Sequence, residues 1–295
     1  MSKKKVIITG VSGFIGSNLA KWLSDEYKII GIDKNPWDGF KKIKDAVFFQ
    51  IDLTKDKLSD FDDVYAVIHL AARAGVRESQ KEFEDYVKNN ILGTKIILDK
   101  CVENWKPKKL LVASSSSVHG EEGNGIHPKS LYAMTKVATE DIIDTYRNNG
   151  LLVDTQAGAL RIYTVYGPGQ RKGLAIGNFI TNILKDVPIT VYGDGTQTRD
   201  FTYIDDLCRG INMLLDDRLI DETYDFGSQQ AYSVNEIIHL ISKLTNKVVR
   251  IKYEPMIRYD VMHTKSHYLI CDHITPIEEG LKKQIEWTKS MLNLQ

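Results

Sequence analysis

The chain of 295 residues carries 39 lysines and arginines against 39 aspartates and glutamates, so no overall field draws it to nucleic acid or to an anionic membrane. Its length suits one large or two small domains. Three widely spaced cysteines without a CxxC pair, and seven histidines without ligand spacing, predict no disulfide framework, no metal site and a reducing, cytoplasmic setting. No apolar stretch approaches the ~20 residues that cross a bilayer, and Lys3-Lys4-Lys5 leads directly into a strand with no signal-peptide core.

Val6-Ile7-Ile8 reads as a buried strand. Thr9-Gly10-Val11-Ser12-Gly13-Phe14-Ile15-Gly16 and an amphipathic helix through Leu19, Ala20 and Leu23 follow it. This is strand, glycine turn, helix: Gly10 permits the tight turn, Gly13 lets amides approach a pyrophosphate, and Gly16 lets the helix pack on the strand. A second strand, Lys28 to Ile32, ends at Asp33, in the interval expected for an acid that binds the adenosine ribose. A carboxylate there repels a 2′-phosphate and favours NAD over NADP, although Lys34 stands beside it. Ala46 to Ile51 reads as a third strand with Asp52-Leu53 at its end, and Val64 to Leu70 as a fourth. Small residues after it, Ala71-Ala72, would let a dinucleotide lie against the backbone.

Residues 78–105 read as one long helix carrying Phe83, Tyr86, Val87, Ile91, Leu92, Ile96, Ile97, Leu98 and Val102. Its apolar residues exceed one stripe, as do those of the helix at 130–149. Two buried faces suggest a subunit interface, a homodimer through these helices, with deeper burial inside one subunit as the alternative.

Between these helices, Leu110-Leu111-Val112-Ala113 reads as a strand ending in Ser114-Ser115-Ser116-Ser117. Ser130 is then a plausible N-cap for a helix on which Tyr132 and Lys136 share one face, one turn apart. A hydroxyl cluster at a strand end, with a Tyr/Lys pair on the next helix, suggests proton chemistry. A phenol of pKa about 10 is a poor base at neutral pH. A neighbouring ammonium and a cationic cofactor ring would lower it.

Alternating strands and helices imply an α/β fold with a parallel, doubly wound sheet, its ligand outside the carboxyl ends of the strands. From about Gly167 the elements shorten: helices around 174–185, 203–216, 233–244 and 276–293, with strands near Ile189–Tyr192, Thr223–Phe226 and Val248–Ile251. No linker separates the halves. We therefore expect a Rossmann-type domain over 1–166 and a smaller, interleaved substrate-binding domain mainly over 167–295.

Thr9-Gly10 to Gly16, His69-Leu70-Ala71-Ala72, Ser114–Ser117 with Val118-His119-Gly120, and Tyr132 with Lys136 resemble the extended short-chain dehydrogenase/reductases, in their nucleotide-sugar epimerase branch. Three further segments, Ala72 to Arg77, Leu160 to Pro168 and Arg199 to Asp206, together with Ser130 to Lys136, look most like UDP-glucuronate 4-epimerases. The resemblance covers nearly the whole chain in the right order. It implies NAD as cofactor, held by Gly10, Gly13, Phe14, Ile15, Gly16, Asp33, Asp52, Leu53, Leu70, Ala71, Ala72, Asn90, Tyr132 and Lys136. It implies Tyr132 as general base, Lys136 as its partner and Ser115 as the hydroxyl that shares the sugar O4 proton. A 4-keto sugar would turn over in the pocket and take the hydride back on its other face.

Ser116 and Ser117 stand where related 4,6-dehydratases carry an Asp-Glu pair and decarboxylases a glutamate, so epimerisation is favoured over either. For the substrate, a UDP-sugar, the resemblance implies Arg77, Ser116, Ser117, Thr164, Arg171, Asn178, Val191, Tyr192, Arg199 and Asp260. Thr164 matches the glucuronate epimerases, where many relatives carry asparagine, and Arg171 matches an arginine that closes over the substrate. The chain also departs from the pattern. The loop from Gly120 to Ser130 is short, His119 replaces the usual tyrosine, and the stretch between Asp260 and Glu279-Gly280 is reduced. UDP-glucose or UDP-N-acetylglucosamine 4-epimerisation is the alternative within the enzyme class. A non-catalytic NAD-binding regulator is the alternative outside it.

Overall fold

The computed structural model describes residues 3–121, 125–171, 173–218, 222–269 and 271–294, so part of the short loop after Gly120 lies outside the described residues. Seven strands form the main sheet: β1 (Lys5–Thr9), β2 (Lys28–Asp33), β3 (Val47–Gln50), β4 (Val64–His69), β5 (Lys109–Ser115), β6 (Gln156–Ile162) and, after three strands that lie elsewhere, β10 (Thr223–Phe226). Their order is β10-β6-β5-β4-β1-β2-β3, and every neighbouring pair is parallel. The chain reverses its direction of travel across the sheet between β1 and β4. The crevice at that point receives the glycine turn from one side and Leu70-Ala71 from the other.

Continuous apolar runs make these strands because both faces of the sheet are covered. Val6 and Ile8 of β1 and Leu111 of β5 belong to one buried cluster, while Ile7, Leu110 and Val112 belong to the other. The first cluster takes in Leu19, Ala20 and Leu23 of helix α1 (Phe14–Leu23) and much of the C-terminal half. The second packs the sheet against the helices between residues 83 and 148.

The long helix expected over 78–105 is segmented. A separate 3-10 turn, Glu78–Gln80, comes first. The helix then runs as α2 (Phe83–Tyr86), a π stretch (Val87–Leu92), α3 (Gly93–Lys100) and a second π stretch (Cys101–Trp105). The first widening has a local cause. The hydroxyls of Thr94 and Thr139 both donate to the Asn90 carbonyl, at 2.6 and 3.4 Å, which competes with the regular helical bond. Helix α4 (Leu131–Asn148) forms as expected, with Ser130 Oγ accepting from Ala133 N at 3.1 Å.

The remaining elements are α5 (Ala175–Leu184), α6 (Ile204–Met213), α7 (Val234–Thr245) and α8 (Ile277–Met291), with strands β7 (Thr164–Tyr166), β8 (Ile189–Tyr192), β9 (Thr198–Tyr203), β11 (Ala231–Ser233) and β12 (Ile251–Glu254). β11, β9 and β7 form one small sheet, and β12 with β8 another. The strand expected at Val248–Ile251 therefore starts later than its apolar residues suggest. Pairing of Ile251 with Ile189 sets it, and Val248 is 93 % exposed. β10 reaches back from the C-terminal half to form the edge of the main sheet. Among the described residues, no helix is long and apolar enough to cross a membrane.

Candidate active site

The cofactor cradle is built by β1, α1 and the ends of β2 and β4. Gly10 sits at φ +72°, and a Cβ there would lie 2.7 Å from Ala71 N, so only glycine lets the β1 and β4 ends meet this closely. At Gly13 an added Cβ would meet only Gly10 O, at 3.1 Å. Gly13 is also the N-cap of α1 and supplies no capping side chain. The leading amides, from Phe14 and Ile15 onward, thus open a helix N-terminus with the room and polarity a pyrophosphate needs. Asp33 stands beside this turn, its carboxylate fixed by Ser12 N at 3.0 Å and Asn35 N at 2.9 Å. The Lys34 ammonium is directed to Asn89 Oδ1 at 3.0 Å. On these observations the cradle fits NAD.

The other expected cofactor residues divide by what their side chains already do. Asp52 Oδ1 accepts from the amide and hydroxyl of Thr54, and Leu53 is buried in the second core cluster. Leu70 and Ala71 are half-buried and Ala72 is exposed beside the crevice. Asn90 is 1 % exposed and fully engaged. It takes Arg73 N at 2.7 Å and gives to Arg73 O at 3.0 Å and Thr135 Oγ1 at 2.9 Å. Its amide therefore staples the Ala72-Arg73 backbone to α4.

Strand β5 ends at Ser115, and a 3-10 turn (Ser116–His119) follows at once, with Ser115 Oγ accepting from Ser117 N at 3.2 Å. Ser115 is also close enough to the Tyr132 phenol to draw its pKa down, and it contacts Ser117 Oγ at 3.1 Å. Lys136, 4 % exposed, donates from Nζ to Ala113 O of β5 at 2.8 Å. The structure thus gathers Ser115, Tyr132 and Lys136 at the carboxyl end of one strand. Ser79 adds to their placement: its hydroxyl accepts from Tyr132 N at 3.0 Å.

Burial pushes the Tyr132 phenol above its ordinary value, and Ser115 and then Arg171 pull it back. Burial also pushes Lys136 down to about 8, opposed by the Glu140 carboxylate, so the ammonium remains largely charged at neutral pH. Behind it, buried His69 is pushed down to about 3 by desolvation and then by Lys136. Its neutral ring links Thr9 Oγ1 at 2.7 Å to Thr94 Oγ1 at 3.3 Å, and Thr9 Oγ1 accepts from Ala71 N at 3.2 Å.

Around this centre, Thr164 opens β7 opposite Phe201. Arg171 gives Nη2 to Ala74 O at 3.1 Å and is close enough to act on Tyr132 and Tyr86. The Arg77 guanidinium lies 4.0 Å over the Tyr192 ring, a cation–π contact that places these two expected residues together. Val191 is 1 % exposed with its side chain in the core, so only its backbone can meet a ligand. Exposed Asn178 accepts from Gly173 N at 3.2 Å. Arg199 and Asp260 are paired at 2.8 Å.

Sequence reasoning missed a buried charge chain behind the catalytic strand. Glu140, one turn beyond Lys136 on α4, takes Arg161 in a fork at 3.0 and 2.8 Å and also accepts from Ser114 Oγ. Its only signal was the i+4 spacing from Lys136. Tyr86 was also missed as a site residue; its ring meets Tyr132 edge-on at 6.2 Å, and its hydroxyl donates to Gly75 O.

A crevice at the switch point of a parallel sheet, with a pyrophosphate-ready helix start and a Ser/Tyr/Lys cluster facing it, defines a Rossmann-type NAD-dependent enzyme. The chain belongs to the NAD dependent epimerase/dehydratase family, whose model matches residues 6–227. It is 35 % identical to a UDP-glucuronate 4-epimerase of Thermodesulfobacterium geofontis, over 98 % of this chain and 97 % of that one. The UDP-glucuronic acid 4-epimerase of Bacillus cereus, solved with UDP-glucuronic acid and NAD, superposes with a TM-score of 0.88 at 30 % identity, over 97 % and 99 % of the two chains. A UDP-N-acetylglucosamine 4-epimerase from Methanobrevibacter ruminantium, solved with UDP-N-acetylmuramic acid, gives 0.89 at 26 % identity, over 99 % and 100 %.

Proposed function

We propose that the protein is a UDP-sugar 4-epimerase acting on UDP-glucuronate to give UDP-galacturonate. The observation that carries the reading is the cluster of Ser115, Tyr132 and Lys136 at the end of β5, followed by Ser116 and Ser117 where an acid would be needed for a second proton transfer at C5. Tyr132 takes the proton of the C4 hydroxyl, with Ser115 sharing it. Ser115 and Arg171 both draw the phenol toward its ionised form, and Lys136 keeps a cation at the same strand end. Bound NAD supplies the hydride acceptor and donor, and its nicotinamide cation adds to the pull on the phenol.

Residues 167–295 then supply most of the nucleotide-sugar site, with Arg199 and Asn178 at the diphosphate, Asp260 at the end of the nucleotide-binding loop, and Val191 and Tyr192 beside the uracil, while Arg77 joins them from the first half. Thr164 and the two serines hold the sugar carboxylate. Once C4 is oxidised the sugar is a β-keto acid. It loses CO₂ readily when the C–CO₂ bond aligns with the carbonyl π system, so a carboxylate held in another orientation is protected while the ring turns. A second reading, epimerisation of UDP-glucose or UDP-N-acetylglucosamine, is favoured by the likeness to the UDP-N-acetylglucosamine 4-epimerase.

A homodimer through the helices at 78–105 and 130–149 is supported by an apolar groove lined by Val87, Ile91, Leu92, Ile142 and Tyr146. A cytoplasmic location is supported by three buried cysteines without disulfides. The deciding experiment incubates the NAD-bound protein with UDP-glucuronate, UDP-glucose and UDP-N-acetylglucosamine and resolves the products by proton NMR. Turnover of UDP-glucose with UDP-glucuronate untouched overturns the first reading in favour of the second.

A further inference from the structure

The turn that follows the catalytic serine ends on His119, and this ring is 5 % exposed. Nε2 lies 2.9 Å from Asp225 Oδ1 on β10, and Nδ1 lies 2.8 Å from Gly125 O. A carbonyl and an ionised carboxylate only accept. Both bonds can therefore be filled only when each ring nitrogen carries a proton, which is the imidazolium form. A neutral ring would turn a lone pair on one of the two oxygens.

The ring stands at the root of a clasp. Gly120, at φ +64°, has no room for a Cβ, which would meet His127 O at 2.1 Å, and His127 N donates back to Val118 O at 2.8 Å. Glu121, next in the chain to Gly120, has both carboxylate oxygens accepting from Met262 N at 2.9 and 3.0 Å. Lys129 steadies that carboxylate at 3.0 Å. Met262 O in turn accepts from Thr198 N at 2.8 Å and from Arg199 Nη1 at 3.2 Å, and Arg199 holds Asp260.

We infer that His119 is a positioning residue for substrate binding: its doubly bonded imidazolium fixes Gly125 and the neighbouring Gly120-Glu121, and Glu121 holds Met262 and through it Arg199 and Asp260. The inference rests on the reading of Arg199 and Asp260 as contacts of the nucleotide-sugar.

The charged groups around the ring set the sign of its pH dependence. Asp225 faces it directly. Arg161 of β6 approaches Asp225 at 3.9 Å and is itself paired with Glu140 of α4, while Tyr163 lies near Asp225. Burial lowers the His119 pKa and Arg161 opposes the cation, but Asp225 and the Gly125 carbonyl outweigh them and hold it above its ordinary value. A raised folded-state value keeps the clasp complete below the ordinary histidine range, and the clasp is lost as pH rises through the raised value.

The test uses the NAD-bound enzyme and whichever UDP-sugar it turns over. An NMR titration follows the His119 Cε1 proton while KM and kcat are measured from about pH 6 to 9. The ring should titrate above the ordinary histidine value. KM should climb about tenfold across that titration, the scale of a lost hydrogen bond to a charged group, with kcat changing less. His119→Tyr should raise KM at low pH and abolish the climb, and Asp225→Asn should move the climb to lower pH. A ring titrating at or below the ordinary value overturns the inference, as does an unchanged KM profile in either variant. The NMR titration needs no sugar, so a wrong substrate assignment fails separately.

Discussion

Lys136 should cost the fold stability, and replacing it with methionine should return that stability while removing activity. The ammonium is 4 % exposed, and burial lowers its pKa from 10.5 to about 8. At about 1.4 kcal/mol per pH unit, that fall corresponds to about 3 kcal/mol of unfavourable burial at pH 7. Lys136→Met keeps the length of the side chain and loses the bond to Ala113 O, a cost of about 1 kcal/mol. The net expectation is about 2 kcal/mol of stabilisation, or about 3 °C in Tm for a chain of this length. The sign follows from the lowered folded-state value. Between about pH 8 and 10.5 the unfolded chain holds the lysine proton more tightly than the folded one, so wild-type stability gains with rising pH there. The variant lacks that gain, so its advantage should be full below about pH 8, gone near about pH 9.5 and reversed by about 1 kcal/mol at pH 10.5. Calorimetry of NAD-stripped protein across this range reads both effects. A variant that is less stable at pH 7, by an amount independent of pH, would refute the reasoning.

The other predictions address the proposed roles. Tyr132→Phe should fold and bind NAD normally while turnover falls by about 10²–10⁴-fold, measured by product NMR; near-normal turnover removes Tyr132 from the mechanism. Asp33→Ala should weaken NAD binding about 10- to 100-fold, the scale of charge-assisted hydrogen bonds, and narrow the preference over NADP. Wild-type protein isolated with NADP would contradict that role. Thr164→Val, followed with UDP-glucuronate for UDP-galacturonate, 4-keto-pentose and bound NADH, should bind substrate more weakly or release more decarboxylated product. Unchanged kinetics with clean epimerisation would dismiss the threonine. Leu92→Glu, at a position 42 % exposed beside the apolar groove, should convert the proposed dimer to monomer in sedimentation, and an unaltered dimer would exclude that surface.

The main sheet was largely legible because its signals are local. β1, β2, β4 and β5 are short apolar runs ended by glycine, aspartate, alanine or serine, and Ser130 marks the start of α4. The elements that escaped are those defined by partners distant in sequence. β9 reads Thr-Arg-Asp-Phe-Thr-Tyr and is a strand because β7 and β11 flank it. β12 is shifted from its most apolar residues because β8 sets its register. The first π stretch accompanies two hydroxyls that donate to the Asn90 carbonyl, one of them from Thr139 on another helix. At the site, the spacing of Tyr132 and Lys136 foretold a shared helix face but not what charges would surround it. Glu140 carries no local signal beyond its spacing from Lys136, because its partner Arg161 lies on β6.

The edge position of β10 bears on how the chain assembles during synthesis. Residues 5–162 supply six of the seven parallel strands, yet the last, at 223–226, pairs with β6 only after the whole β7–α6 region has been made. Until then β6 presents an open row of backbone donors and acceptors, the kind of edge that recruits other chains. A fragment cut at residue 166 would keep the glycine turn and the tyrosine helix but expose that edge permanently. It would also lack Asp225, the acceptor for His119. The main sheet is therefore complete only when a segment made late in synthesis has docked on β6.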